Sequence, residues 1–435
     1  MAITEEENRT LTEVGPGTPM GDLLRRYWHP VAATRELEQY PTRPVRILGE
    51  DLVLYKDGGG NYGLIERWCA HRGTDLCMGM VEEYGLRCAR HGWLYSETGQ
   101  CLDMPLEEEP FADQVKLHGH SVVEKGGMLW AYIGPQPAPL VPEWEPFSWQ
   151  DGIVQVVFTV LPCNWLQCQE NALDPVELEW LQDGIALHAL GGPAPERPGL
   201  VDFEYDEFEY GYLYRSAEKG TDKSIPWHVG RVALWPNALF AGDRRSCRFE
   251  WRVPMNDSTT MNVAWFFDAA APNAELPEQR DFFWFAPTKD DEEEPITSHL
   301  LNRKFTIWMH QPTIVDRSKE FLTDGDKGVI TYRGKLFSQI ALIADGGEPK
   351  AVLRDPNDNS HLALPFVPET PPPVVIAPKV KRGGYQEEPS PDDPPPEPPP
   401  PTVIDHEAFP YVAGQPEDAA EAYRKVRDSW GGRPR

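Results

Sequence analysis

The sequence predicts an α+β protein of at least two folded units, and three observations carry that expectation. The chain has 435 residues, 40% apolar and 11% aromatic, which exceeds a typical single domain and suffices to bury a sizeable core. From Val45 to Gly134 it reads as short alternating runs such as Val-Arg-Ile-Leu-Gly-Glu-Asp-Leu-Val-Leu-Tyr, punctuated by Gly-Gly-Gly, Tyr-Gly and Thr-Gly, the signature of a small all-β unit. From about Val154 to Ile343, strand-like runs (Ile153–Leu161, Met261–Phe267) alternate with helical-looking pieces around Asn171–Leu190 and Ile314–Leu336.

The organisation that follows is an N-terminal segment (1–44), the all-β unit (45–155), an α+β unit (156–350) and a tail (351–435). Composition marks the tail. Fifteen of the 45 prolines fall between Pro365 and Pro401, an extended polyproline II spacer with no core of its own. Helical spacing of Ala420, Tyr423, Val426 and Trp430 suggests a short terminal helix. From about Asp355 the tail is expected to reach another subunit instead of closing on its own domain. No internal repeat is visible.

Charge excludes some partners. Lys plus Arg number 41 against 69 Asp plus Glu, a net −28 that repels nucleic acid and anionic membranes. No apolar run reaches membrane-spanning length, and the start is acidic where a signal peptide is basic and then apolar, so a cytoplasmic protein is expected. Seven cysteines, an odd number in a reducing compartment, point to metal ligation or burial instead of disulfides.

The strongest chemical signal is Cys69-Ala-His71, sixteen residues, then Cys88-Ala-Arg-His91-Gly92-Trp93. Two thiolates and two imidazoles suit either tetrahedral zinc or a [2Fe–2S] cluster with Cys on one iron and His on the other. Zinc knuckles usually space their first ligands by two to four residues. The single-residue gap in Cys-Ala-His, with Gly73 and Gly92 at hairpin tips, favours the cluster. Cys77 and Cys101 are left over and read as buried apolar residues. Neutral imidazole ligands place the cluster potential between roughly −150 and +300 mV, so this unit reads as an electron relay.

With these motifs in view, the chain resembles the Rieske non-haem iron oxygenases, and within them the phthalate-dioxygenase-like aromatic ring-hydroxylating α subunits. The resemblance runs from Leu11 to about Leu336. It rests on Gly17-Thr-Pro-Met-Gly-Asp-Leu-Leu-Arg-Arg-Tyr-Trp-His-Pro30, Arg46-Ile-Leu-Gly-Glu-Asp-Leu-Val53, the cluster motif, Asn164-Trp-Leu-Gln167, Val253-Pro254, and Asp316-Arg317 through Glu320. It implies a second domain of helix-grip fold, an antiparallel sheet around a long helix. It also implies trimers in which the cluster of one subunit feeds a mononuclear Fe(II) in the next, through an Asp at the interface.

One departure bears on function. The family holds its Fe(II) by two His and a carboxylate, in the pattern Asn-x-x-Asp-x-x-His-x-x-x-x-His. Here the stretch is Asn171-Ala-Leu-Asp174-Pro-Val-Glu177-Leu-Glu-Trp-Leu-Gln182, which keeps the bridging Asp174 and replaces both His by Glu177 and Gln182. Counting back from Asp316 to the family's third ligand lands on Lys304, whose ammonium has no lone pair for a metal. His188, His228 and His299 lack a second His at close helical spacing and read as ordinary histidines. Glu177 with Glu170, Glu179 or Asp183 offers at most a weak site for a hard cation. A lysine in the emptied pocket is expected to pair with Glu177, with the Gln182 amide satisfying what remains.

The resulting expectation is a Rieske-cluster subunit without its own mononuclear iron. It would assemble in a mixed trimer or hexamer with a homologous catalytic α subunit and receive electrons from a ferredoxin or flavin reductase. Two alternatives remain open: a homo-oligomeric electron carrier or structural subunit, and an active oxygenase with an unconventional metal site. Two irons per chain fit the first two readings, and about three fit the last.

Overall fold

The computed structural model describes residues 3–174, 201–218, 228–271, 274–290, 293, 296 and 300–365. Glu177, Gln182, His188, His299 and the Pro-rich segment from residue 366 lie outside them. Among the described residues, no helix is long and apolar enough to cross a membrane.

The first unit is all-β. Six antiparallel strands run in the order His29–Ala33, Met128–Tyr132, Gly119–Lys125, Tyr62–Glu66, Glu50–Lys56 and Thr42–Ile47. The segment before residue 45 thus contributes strands to this sheet. A second, four-stranded sheet of short strands (Met80–Glu82, Gly85–Arg87, Leu94–Tyr95, Cys101–Asp103) stands beside it. It has its own small core around Leu76, Leu86, Tyr95 and Met104.

The other unit is built on one eight-stranded sheet, with Ser246–Asn256, Thr259–Ala269 and Gly152–Leu161 at consecutive positions in it. Every pairing is antiparallel except that of Gly152–Leu161 with the edge strand Asp281–Phe285. Alternation along these strands sorts their side chains onto two covered faces. Val156, Phe158, Phe249, Trp251, Val263 and Trp265 join the main core shared with the first unit, whereas Val157, Leu161 and Ala264 pack under Leu301, Phe305 and Trp308 of the helix Leu300–Met309. The α+β class expected from sequence is the observed one.

Of the two helical expectations, that around Asn171–Leu190 lies beyond Asp174 outside the described residues, and the other is corrected. The helix expected over 314–336 begins only at Lys327 and runs to Ala344. Asp316 and Asp326 explain the delay. Asp316 caps a single turn by accepting from the Ser318 N–H, and Thr323 and Asp326 cap each other just before Lys327, so the first residues are spent on turns. The sequence reading also passed over the helix Leu300–Met309.

The start of the tail is a further correction. Instead of leaving the domain at Asp355, the chain closes on itself: Leu353, Leu362 and Leu364 are buried, and the Leu140 N–H bonds the Leu353 carbonyl at 2.8 Å. Leu362 bridges Trp144, and Asn359 ties down Val141 and Glu143. These residues carry apolar side chains with a place in the core, unlike the prolines beyond them.

Candidate functional site

The two Cys–His segments are loops of the first unit, and their backbones fold alike. In each, the cysteine carbonyl accepts from the glycine four residues on (Gly73 to Cys69, 2.8 Å; Gly92 to Cys88, 3.1 Å). In each, the cysteine N–H donates to the residue after that glycine (Thr74, 2.9 Å; Trp93, 2.8 Å). Both glycines take left-handed backbone, φ 64° and 79°, which a side chain would strain. The loops therefore present their Cys and His side chains as matched pairs.

The two imidazoles lie against each other, and Cys69 lies beside Cys88. The His71 and His91 rings lie 4.5 Å apart, and His71 stacks on Trp93 at 4.7 Å. Cys69 and Cys88 are both buried, and burial pushes the Cys69 thiol up. The Tyr95 hydroxyl stands 3.2 Å from the Cys69 sulfur. His71 Nδ1 is buried with no hydrogen-bond partner. The orphaned imidazole nitrogen offers a lone pair of the kind a metal takes and costs stability while it has no partner. Cys101 is buried as expected, and Cys77 is half-buried beside Asp75.

Across the sheet, Asp174 ends the helical turn Asn171–Leu173. The segment leading to it is clamped. Asn164 caps the helix Trp165–Glu170 and bonds the carbonyls of Thr12 and Asp257, while Gln167 bonds those of Trp308 and Pro312. Glu170 accepts from Arg317 (2.9 Å) and Arg333 (2.6 Å), which hold its carboxyl below the usual range despite burial. Those two arginines commit Glu170, so the weak cation site that would have used it with Glu177 is not supported. Arg317, from the Asp-Arg pair noted in the sequence, thus acts by fixing the approach to Asp174. Arg231 bonds both the backbone and side-chain oxygens of Asn171.

Lys304 is 3% exposed, and Glu177, expected as its partner, lies outside the described residues. Its ammonium lies 3.2 and 3.3 Å from the two carboxylate oxygens of Glu250, a fully buried residue. Glu250 also accepts from Arg248 Nε (2.9 Å) and Arg252 Nη2 (3.2 Å). Burial, only partly offset by Glu250 and reinforced by Arg231, Arg248 and Arg252, pulls the Lys304 pKa down to about 7. The same cations hold the Glu250 carboxyl well below the usual range. Sequence reasoning missed Glu250. The available signal was Arg248-x-Glu250-x-Arg252, three charges on one face of an otherwise apolar strand.

Paired Cys–His loops on a small β-unit, joined to a second domain built on one large sheet, define a Rieske iron–sulfur protein with an oxygenase-type domain. The Rieske [2Fe-2S] domain family matches residues 27–122. The chain is 45% identical over 372 residues to the 5,5'-dehydrodivanillate O-demethylase oxygenase subunit of Sphingobium sp., covering 84% of this chain and 87% of that protein. It is 27% identical to the phthalate 4,5-dioxygenase oxygenase subunit of Pseudomonas putida, over 79% of this chain and 88% of that one. Among solved structures, a chain of the oxygenase–ferredoxin complex of carbazole 1,9a-dioxygenase shares the fold, with TM-score 0.51, 18% identity, and coverage of 83% of this chain and 98% of that one. The chain belongs to the Rieske oxygenase family, among its oxygenase subunits.

Proposed function

We propose that this chain is the Rieske-cluster subunit of a multicomponent aromatic oxygenase that relays electrons to a homologous, iron-bearing catalytic subunit and carries no mononuclear iron itself. Cys69 and Cys88 would hold one iron of a [2Fe–2S] cluster and His71 and His91 the other. When bound, that group accepts and passes on single electrons. The chain's own part is to bury the thiolates, fix both imidazoles, and present the tip to a partner. Exposed Trp68, Met78, Met80, Leu106 and Phe111 around the two loops support a docking role for that tip.

The observation that carries the reading is Lys304. It stands at the counted position of the family's carboxylate ligand and is buried in an ion pair with Glu250, so a divalent cation there would meet an ammonium already in place. Glu177 and Gln182 in place of two His support the same conclusion from sequence. In a mixed ring, Asp174 would face a neighbour's cluster, while this chain's cluster would lie beside the intact iron of the next subunit. Ferredoxin as donor is supported by the carbazole dioxygenase complex, and aromatic hydroxylation or O-demethylation by the names of the relatives.

Metal analysis of the complex purified from its source tests the reading. Two irons for this chain, together with a co-purifying homologue that carries both His, are expected. A third iron bound to this chain would overturn the proposal.

A further inference from the structure

The helix Lys327–Ala344 carries an apolar stripe that runs on past its cover. Val329, Tyr332 and Leu336 are buried along it, whereas Ile340 and Ile343, one and two turns beyond Leu336 on the same side, are only half-buried. Both line an open groove of about 680 Å³. Its other walls are Ile133 and Pro135, just past the strand Met128–Tyr132, and the helix Pro19–Leu24. That volume lies within the roughly 300–1,000 Å³ of sites that seat a ligand.

The groove also holds two idle charges of opposite sign. Arg25 is committed to Glu50 at 2.8 Å. Arg26 and the exposed Asp22 have no ion-pair partner among the described residues, and Arg26 Nε is buried without an acceptor. An apolar floor rimmed by one cation and one anion suits an amphipathic protein segment, because a simple ion would leave the floor uncovered.

The chain supplies such a segment. Residues 417–430 lie outside the described ones, and the sequence expects a helix there with Ala420, Tyr423, Val426 and Trp430 on one side and Glu417 and Arg424 along its border. Tyr and Trp are favoured anchors for a helix laid in a groove. About fifty residues separate Glu417 from Pro365, the last described residue. As a coil such a spacer spans on the order of 40 Å, comparable with the width of the folded part, and as polyproline II it spans more. A tether of that length gives an effective concentration on the order of millimolar, which favours the chain's own segment over that of another copy.

We propose that residues 417–430 of this chain dock as an amphipathic helix in the groove between the helices Pro19–Leu24 and Lys327–Ala344, with Tyr423 and Trp430 covering Ile340 and Ile343. Glu417 then meets Arg26, and Arg424 meets Asp22. The docking does not depend on whether the chain holds a mononuclear iron.

The test uses the full-length, cluster-loaded protein. The photo-crosslinking residue p-benzoylphenylalanine replaces Ile343, and the irradiated chain is mapped by mass spectrometry. Position 343 joined to the segment 417–430, in a product of single-chain mass on a denaturing gel, is expected. A product of doubled mass, attachment to any other segment or protein, or no attachment would overturn the proposal. Hydrogen exchange gives a second reading that needs no change in the groove. Tyr423→Glu, in the tail, should speed exchange of the amides of residues 340–344 at least tenfold while leaving the cluster's visible spectrum unchanged. Arg26→Glu should speed it as well, and adding Glu417→Arg should restore protection, which damage to the groove alone would not allow. Exchange unaltered by Tyr423→Glu, or no rescue by the charge swap, would equally overturn the docking.

Discussion

Replacing Glu250 by Gln tests whether the cation cluster at Lys304 is organised by one carboxylate. The variant keeps shape, turns one accepting oxygen into a donor and removes the charge that Lys304, Arg248 and Arg252 share at 2.9–3.3 Å. Lys304 and Arg252 are buried, so neither reaches solvent when the carboxylate is gone. Removing one partner of a buried ion pair costs about 3–5 kcal/mol. For a unit of this size, that corresponds to a fall in melting temperature of roughly 6 to 20 °C. Differential scanning calorimetry of the cluster-loaded protein reads it directly. A double-mutant cycle with Lys304→Met adds a second reading. With the lysine already removed, loss of Glu250 should cost less, giving a non-zero coupling energy. A loss below about 1 kcal/mol, the range of an exposed pair, or strict additivity in the cycle would refute the argument.

Other outcomes follow from the same contacts. Lys304 should contribute a pH-dependent share of stability: the folded protein releases its proton near pH 7 and the unfolded chain near its ordinary 10.5. Between those values the unfolded state binds more protons, so stability rises with pH, and Lys304→Met should flatten that rise when melting is compared at pH 7 and 9; an unchanged slope would count against it. Tyr95→Phe removes a hydroxyl 3.2 Å from the Cys69 sulfur. That hydroxyl favours the more negative, reduced cluster, so the potential should fall by about 40–60 mV for a bond worth ~1 kcal/mol, and an unshifted redox titration would contradict this. His71→Ala should abolish the cluster's visible and electron paramagnetic resonance spectra, whereas zinc found in the wild-type protein would remove the cluster assignment altogether.

The Glu170 network gives several residues that mark the family resemblance a common structural task. Asn8, Arg317, Glu170, Arg333 and Glu320 form one chain of contacts, and Asn164 and Gln167 brace the same helix from other sides. Their common effect is to fix where the chain emerges at Asp174.

What the sequence determined by itself was local chemistry. Cys69, His71, Cys88 and His91 are legible because each Cys–His pair lies within one loop, where spacing and a following glycine dictate how the side chains are presented. Glu177 and Gln182, at the fixed offsets from Asn171 and Asp174 where the resemblance expects two His, are read from the sequence for the same reason. The fold class followed from periodicity, which reports whether a segment has one covered face. Tertiary structure decided the partners. Lys304 meets Glu250, 54 residues away on a different element, because strand pairing places that carboxylate beneath the helix. Helix limits near Lys327 were set by capping among Thr323 and Asp326, and the path of residues 351–365 by vacant apolar positions beside Trp144 and Leu140. Pairing across a sheet and occupation of a core depend on distance in space, which spacing along a chain does not encode.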